Sequence, residues 1–231
     1  QKQKPFLAYV SFYSVHTPLM APAALVAKYR EKARKLGLDR QEVFQSEEQV
    51  WPNAKSPRRV RSVQSHATYA AMVESMDSQV GRALDALTRL GIADHTIVCF
   101  TSDNGGLDRQ GSPTENAPLR SGKGYAYEGG IRVPFLARWP GVIPAGTISE
   151  VPVCSIDILP TFLEAAGLAP EDSIEVDGLS LMTHLRSGGS KPVERRSLYW
   201  HFPHYRHDPG PYSIIRRGQW KLIKFYEGPM E

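Results

Sequence analysis

Cysteine is scarce, with two residues, Cys99 and Cys154, in a chain of 231. Two cysteines make no disulfide framework, and nothing near them has metal-site spacing. Both fall in apolar segments and are expected to act as small core residues. No apolar run approaches the roughly 20 residues that a membrane-spanning helix needs, and no leader-like segment is recognisable. Neither charge dominates: 28 Lys and Arg against 24 Asp and Glu leave +4. That balance tolerates an acidic substrate but argues against nucleic acid as a partner. The densest basic run, Pro57-Arg58-Arg59-Val60-Arg61, is expected to be a solvated loop. Internal repeats and low-complexity tracts are also missing.

What is present is ordinary globular material, 41% hydrophobic and 23% charged, enough for one large domain, or one domain plus a small one. Phe6 to Tyr13 reads as a strand. Pro22 opens a helix that Gly37 stops. Residues 38 to 63 read as a polar surface excursion. A long helix begins near Ser65, with Met72, Met76, Val80, Leu84 and Leu87 at helical spacing, and ends at Gly91. It leads into a strand at Ile97 to Phe100, expected to be buried in a parallel or mixed sheet. Helix followed by strand is an α/β unit. Val133 to Trp139 is a further strand. Ser155 is expected to cap a helix over 156 to 166, with Asp157 favouring the helix dipole. Leu179 to Arg186 is a short helix. From Ser197 the pattern changes to strands at 197–202, 212–217 and 220–226, with Arg217-Gly218-Gln219 as a tight connection. The chain is therefore expected to divide into residues 1–190, an α/β part, and 191–231, a small antiparallel β subdomain.

The stretch from Thr96 to Pro134 concentrates the chemistry. Ligands of open α/β sheets sit beyond the carboxyl ends of strands, which is where Asp103 and Asn104 fall. A carboxylate and an amide carbonyl are hard oxygen donors that suit Ca²⁺ or Mg²⁺ better than zinc. Taken alone, Asn104-Gly105 reads equally as a turn. Lys123 lies between Gly122 and Gly124, where backbone can approach an anion closely, or where a loop lysine is merely solvated. The Walker A spacing is missing. His16 stands at the end of the first expected strand, a candidate proton donor or anion partner. The loop after the third-last strand, Pro203 to Asp208, holds His204, Tyr205, Arg206 and His207, with His201 at the end of the strand before it, an aromatic and basic set that suits a sugar or an anion, or an unremarkable polar loop.

The order of these motifs resembles the C-terminal two-thirds of a sulfatase of the arylsulfatase type, in the alkaline-phosphatase-like superfamily. The stretches that carry the resemblance are Val15-His16-Thr17-Pro18-Leu19, Thr101-Ser102-Asp103-Asn104-Gly105-Gly106, Pro118-Leu119-Arg120-Ser121-Gly122-Lys123-Gly124, Glu128-Gly129-Gly130-Ile131-Arg132-Val133-Pro134 and Asp157-Ile158-Leu159-Pro160-Thr161. The resemblance implies part of a mixed β-sheet flanked by helices. It also implies hydrolysis of sulfate esters by a formylglycine whose hydrate attacks sulfur, held by Ca²⁺. Asp103 and Asn104 match metal ligands, and His16 and Lys123 match residues that contact the sulfate. His201, His204 and Arg206 are then candidates to bind a sulfated polysaccharide, and a periplasmic or secreted location is implied.

The family's nucleophile lies in a Cys/Ser-x-Pro-x-Arg motif. Cys99 and Cys154 have no proline two residues on, and Ser56-Pro57-Arg58 and Ser112-Pro113 have the wrong spacing. The chain also opens only a few residues before an expected strand and closes just after another. It is expected to be a piece of a longer protein, inactive alone, with the formylglycine and the other metal ligands upstream. A phosphoesterase or phosphonate-ester hydrolase of the same superfamily, or a glycan-binding protein without a nucleophile, are the alternatives.

Overall fold

The computed structural model describes residues 5–47, 50–51, 57–171, 173–195, 197–205 and 209–231. Helix α1 spans Ala23–Lys35, with Pro22 just before it; Gly37 follows at φ +66, a left-handed position that glycine fills without strain. Strands β1, Phe44–Ser46, and β2, Arg59–Arg61, pair antiparallel. Helix α2, Ala67–Arg89, is capped by His66, whose ring Nδ1 accepts the Tyr69 N–H at 3.2 Å. It buries Ala71 and Met72 and lies against α1, where Lys28 meets Glu74 at 2.7 Å.

Strand β3, Val98–Thr101, pairs antiparallel with β4, Phe135–Arg138, from Val98↔Arg138 to Thr101↔Phe135. It is half-buried rather than fully buried, since only one neighbouring strand is described. Between the two lies the one-turn helix α3, Glu128–Ile131. Helix α4, Ile158–Ala165, follows a 3₁₀ turn at Ser155–Asp157, and α5 covers Met182–Arg186.

Strands β5, Leu198–Phe202, β6, Tyr212–Arg217, and β7, Trp220–Phe225, form an antiparallel sheet in that order. Period-2 alternation turns Tyr212, Ile214, Ile223 and Phe225 inward and leaves Trp220 and Leu222 exposed. Gly218, at φ +59, makes the tight β6–β7 connection. The inner face packs on Val50, Tyr125, Ala126 and Tyr127 in one core. Each large apolar side chain buried there contributes about 1.5–3 kcal/mol.

Several expectations are corrected. Phe6–Tyr13 forms no strand among the described residues, and Tyr9 is 91% exposed. A strand exists only through its ladder partner, and apolar composition does not supply one. The 38–63 stretch contains β1 and β2, and its basic run is not a solvated loop. Arg61 is buried and Arg58 is drawn inward by Glu47 and Asp108. Ser155 caps nothing; the Asp157 carboxylate accepts the Cys154 N–H at 2.8 Å instead. Helix α5 starts at Met182, not Leu179, because the Leu179 N–H goes to Asp157 and the Leu181 N–H to Thr161 Oγ1.

Candidate functional site

Backbone hydrogen bonds join the two loops that hold Asp103, Asn104 and Lys123. The Gly105 N–H donates to the Gly130 carbonyl at 3.0 Å, and the Lys123 N–H donates to the Gly106 carbonyl at 3.0 Å. The Gly129 N–H donates to the Arg120 carbonyl at 2.8 Å. A Cβ on Gly105 would overlap the Gly129 carbonyl oxygen, and one on Gly129 would overlap the Ser121 carbonyl oxygen. Glycine is required at both positions by this close approach rather than by backbone angle. The Asn116 amide spans the seam, donating to the Gly106 and Ser121 carbonyls at 2.8 and 3.1 Å. The strand-end donors and the loop cation therefore belong to one rigid piece.

Asp103 is exposed at the end of β3 and Asn104 is half-buried. The Asn104 Nδ2 donates to the Gly105 carbonyl at 3.0 Å, which leaves Oδ1 as the amide atom not engaged there. Among the described residues no three His, Cys, Asp or Glu side chains converge as a metal cluster. Ca²⁺ takes six to eight oxygen ligands. Asp103 and Asn104 fit that ion in kind and fall short of it in number.

His16 is exposed and its contacts are local. Its Nδ1–H donates to the Thr17 carbonyl at 2.9 Å, and its ring meets Tyr13 edge-on at 5.5 Å. That bond leaves Nε2 as the outward nitrogen. His201, on β5, bonds Ser213 Oγ at 2.9 Å, and His204 packs edge-on against Phe202 at 5.1 Å. Arg206 lies outside the described residues. The sheet that bears these histidines is tied to the Lys123 region by Lys221, whose ammonium meets Glu128 at 3.0 Å. Burial lowers the Lys221 pKa despite that partner.

A cavity of about 240 Å³ opens beside Lys123, with Arg58, Arg59, Arg109, Gln110 and Tyr125 in its wall. Sequence reasoning missed most of this wall. Arg58 donates to Glu47 at 2.7 Å, to Asp108 at 3.0 Å and to Ser121 Oγ at 3.3 Å, and lies 4.3 Å over the Tyr125 ring. Burial works against its charge, but Glu47 and Asp108 outweigh it and hold its pKa above the usual value. Burial pushes the Glu47 and Asp108 carboxyls up, against the pull of Arg58. The alternation of bulky cations with Val60 in a short strand was the available signal. The carboxylates that draw Arg58 inward stand 11 and 50 residues away in sequence.

A family model described as Sulfatase matches residues 1–168, and one described as N-sulphoglucosamine sulphohydrolase, C-terminal, matches residues 121–231. A protein named Sulfatase from Formosa agariphila is 34% identical over 96% of this chain and 40% of its own length. The crystal structure of Ps i-CgsB aligns with 100% of this chain and 43% of that one, at TM-score 0.74 and 31% identity. BT4656, solved in complex with its substrate D-glucosamine-2-N,6-O-disulfate, aligns over 72% of this chain and 33% of its own at TM-score 0.59 and 30% identity. The chain thus spans well under half the length of these relatives. The α/β fold is that of the alkaline-phosphatase-like group to which such structures belong. With a named sulfatase 34% identical over 96% of this chain and the first family match covering residues 1–168, this chain belongs to the sulfatase family.

Proposed function

We propose that the protein carrying this chain hydrolyses sulfate esters of glycans. The backbone seam between the Asp103-Asn104 turn and the Lys123 loop carries this reading. It fixes two hard oxygen donors and one cation in a single body, as a site for a tetrahedral anion requires. The Asp103 carboxylate and Asn104 Oδ1 would hold Ca²⁺, which when bound supplies positive charge to the sulfate oxygens and to the attacking group. Lys123 takes a sulfate oxygen and offsets charge that develops on it. The outward Nε2 of His16 gives a proton to the leaving sugar oxygen. The formylglycine motif is not among these 231 residues, so the attacking atom is not assigned to this chain.

The disulfated glucosamine held by BT4656 supports a sulfated sugar as substrate. We assign sugar contacts to His201, His204 and Arg206 around the third-last strand. A polysaccharide substrate too large to enter a cell favours a periplasmic or secreted enzyme. Among the described residues no helix is long and apolar enough to cross a membrane.

In the full-length protein, Lys123→Ala should lower kcat for 4-nitrophenyl sulfate by about 10²–10³-fold. Asp103→Ala should lower the bound calcium content. Faster turnover of 4-nitrophenyl phosphate than of the sulfate would replace this reading with a phosphoesterase.

A further inference from the structure

The cations around the Lys123 cavity are not equally neutralised. Arg58 is matched by two buried carboxylates, Glu47 and Asp108. Arg59 pairs with Glu42 at 2.8 Å, but their side chains are 46% and 76% exposed. A pair so wet holds its charges weakly. The Arg109 guanidinium and the Lys123 ammonium have no carboxylate partner among the described residues. Two cations that line the cavity, Arg109 and Lys123, are therefore free to meet an anion there.

Arg109 is also held in place. Its backbone bridges Val60 on β2 in antiparallel fashion. On either side of it, the Arg61 N–H donates to the Asp108 carbonyl at 2.7 Å and Arg61 Nε donates to the Ser112 carbonyl at 2.6 Å. The Gln64 amide reaches the Pro113 carbonyl at 2.9 Å. These bonds fix the backbone of the 108–113 segment on β2, and Arg59, Arg109 and Lys123 all line the same space. That space, about 240 Å³, is open to solvent, so an anionic group on a larger molecule can reach it.

We propose that Arg109, with Arg59 and the Gln110 amide, forms an anion subsite beside Lys123. It receives a second anionic group, sulfate or carboxylate, on the same glycan whose sulfate ester Lys123 holds. The guanidinium fork suits either group, since both present paired oxygens. This inference rests on the sulfate-ester reading above and narrows it: the substrate is a sugar unit or disaccharide with two anionic groups.

The test uses the full-length enzyme and three sulfated disaccharides: one singly sulfated, one with a second sulfate, and one with a uronate carboxylate in its place. The parent enzyme should prefer the doubly charged substrates through a lower KM. In Arg109→Ala the ratio of kcat/KM, doubly over singly charged, should fall about tenfold or more, with KM carrying the change. Arg109→Lys should recover part of it, and Arg59→Gln should lower the ratio independently of Arg109. Which charged substrate loses more identifies sulfate or carboxylate as the preferred group. An unchanged ratio in both Arg109→Ala and Arg59→Gln, with turnover intact, overturns the subsite and leaves the sulfatase reading standing. If the parent turns over none of the three, nor an aryl sulfate, the sulfate-ester reading falls and the subsite with it.

Discussion

Asp157 shows how much one side chain can organise. It is fully buried, and its carboxylate takes the Cys154 N–H at 2.8 Å, the Leu179 N–H at 3.0 Å and both arms of the Arg195 guanidinium. Its carbonyl accepts Thr161 Oγ1, which in turn accepts the Leu181 N–H at 2.9 Å. The sequence marked the residue as a helix-start carboxylate, which is right in position and too small in scope. Its partners 22 and 38 residues away could not be read from local pattern. Removing it leaves Arg195 inside without a counter-charge, and losses of about 3–5 kcal/mol follow from such a change. Asp157→Ala should therefore lower the denaturant midpoint of the chain sharply, while Glu150→Ala, an exposed carboxylate 3.7 Å from Arg132, should not. Equal midpoints for the two variants would refute the role given to Asp157.

At the level of elements, the C-terminal hairpin was legible almost residue by residue. Alternating apolar side chains and a glycine at the turn specify strand, face and register together. The β3 end and the Gly-Lys-Gly loop were legible as separate pieces, and the family resemblance suggested roles for them. Their junction was not legible, because carbonyl-to-glycine packing leaves no side-chain pattern. Nor was the inward turn of Arg58, since a basic run carries no mark of its distant carboxylates. The junction predicts a contrast among glycines. Gly129→Ala forces a methyl group into the Ser121 and Arg120 carbonyls and should unfold the loop or cost several kcal/mol. Gly81→Ala, on α2 with open space around it, should be neutral or stabilise by about 1 kcal/mol. Comparable midpoints in thermal unfolding would argue that the seam is slack.

Across the whole molecule, burial acts on neutral acids in one direction. It pushes the Cys99 thiol from 9.0 to about 11, and the Tyr127 and Tyr212 hydroxyls from 10.0 to about 12. The folded chain keeps these protons where the unfolded chain releases them. The stabilisation is complete below the ordinary values and is lost as pH rises through the folded ones. The unfolding midpoint should therefore fall steadily as pH climbs past about 9, and Tyr212→Phe should flatten part of that slope. A midpoint that rises over the same range would show the sign to be wrong.

The glycine seam has a consequence for how such a protein can vary. Because Gly106 and Ser121 are bridged by Asn116, residues 107–115 leave and re-enter the body at fixed points. Doubling the length of a loop with anchored ends costs only about 0.6 kcal/mol in closure entropy. Within it, the turn between Arg109 and Ser112, where Gly111 stands in open space, can thus take extra residues while Asp103, Asn104 and Lys123 keep their spacing. On the roles proposed above, such a change would alter the surroundings of the Arg109 subsite and leave the sulfate site in place.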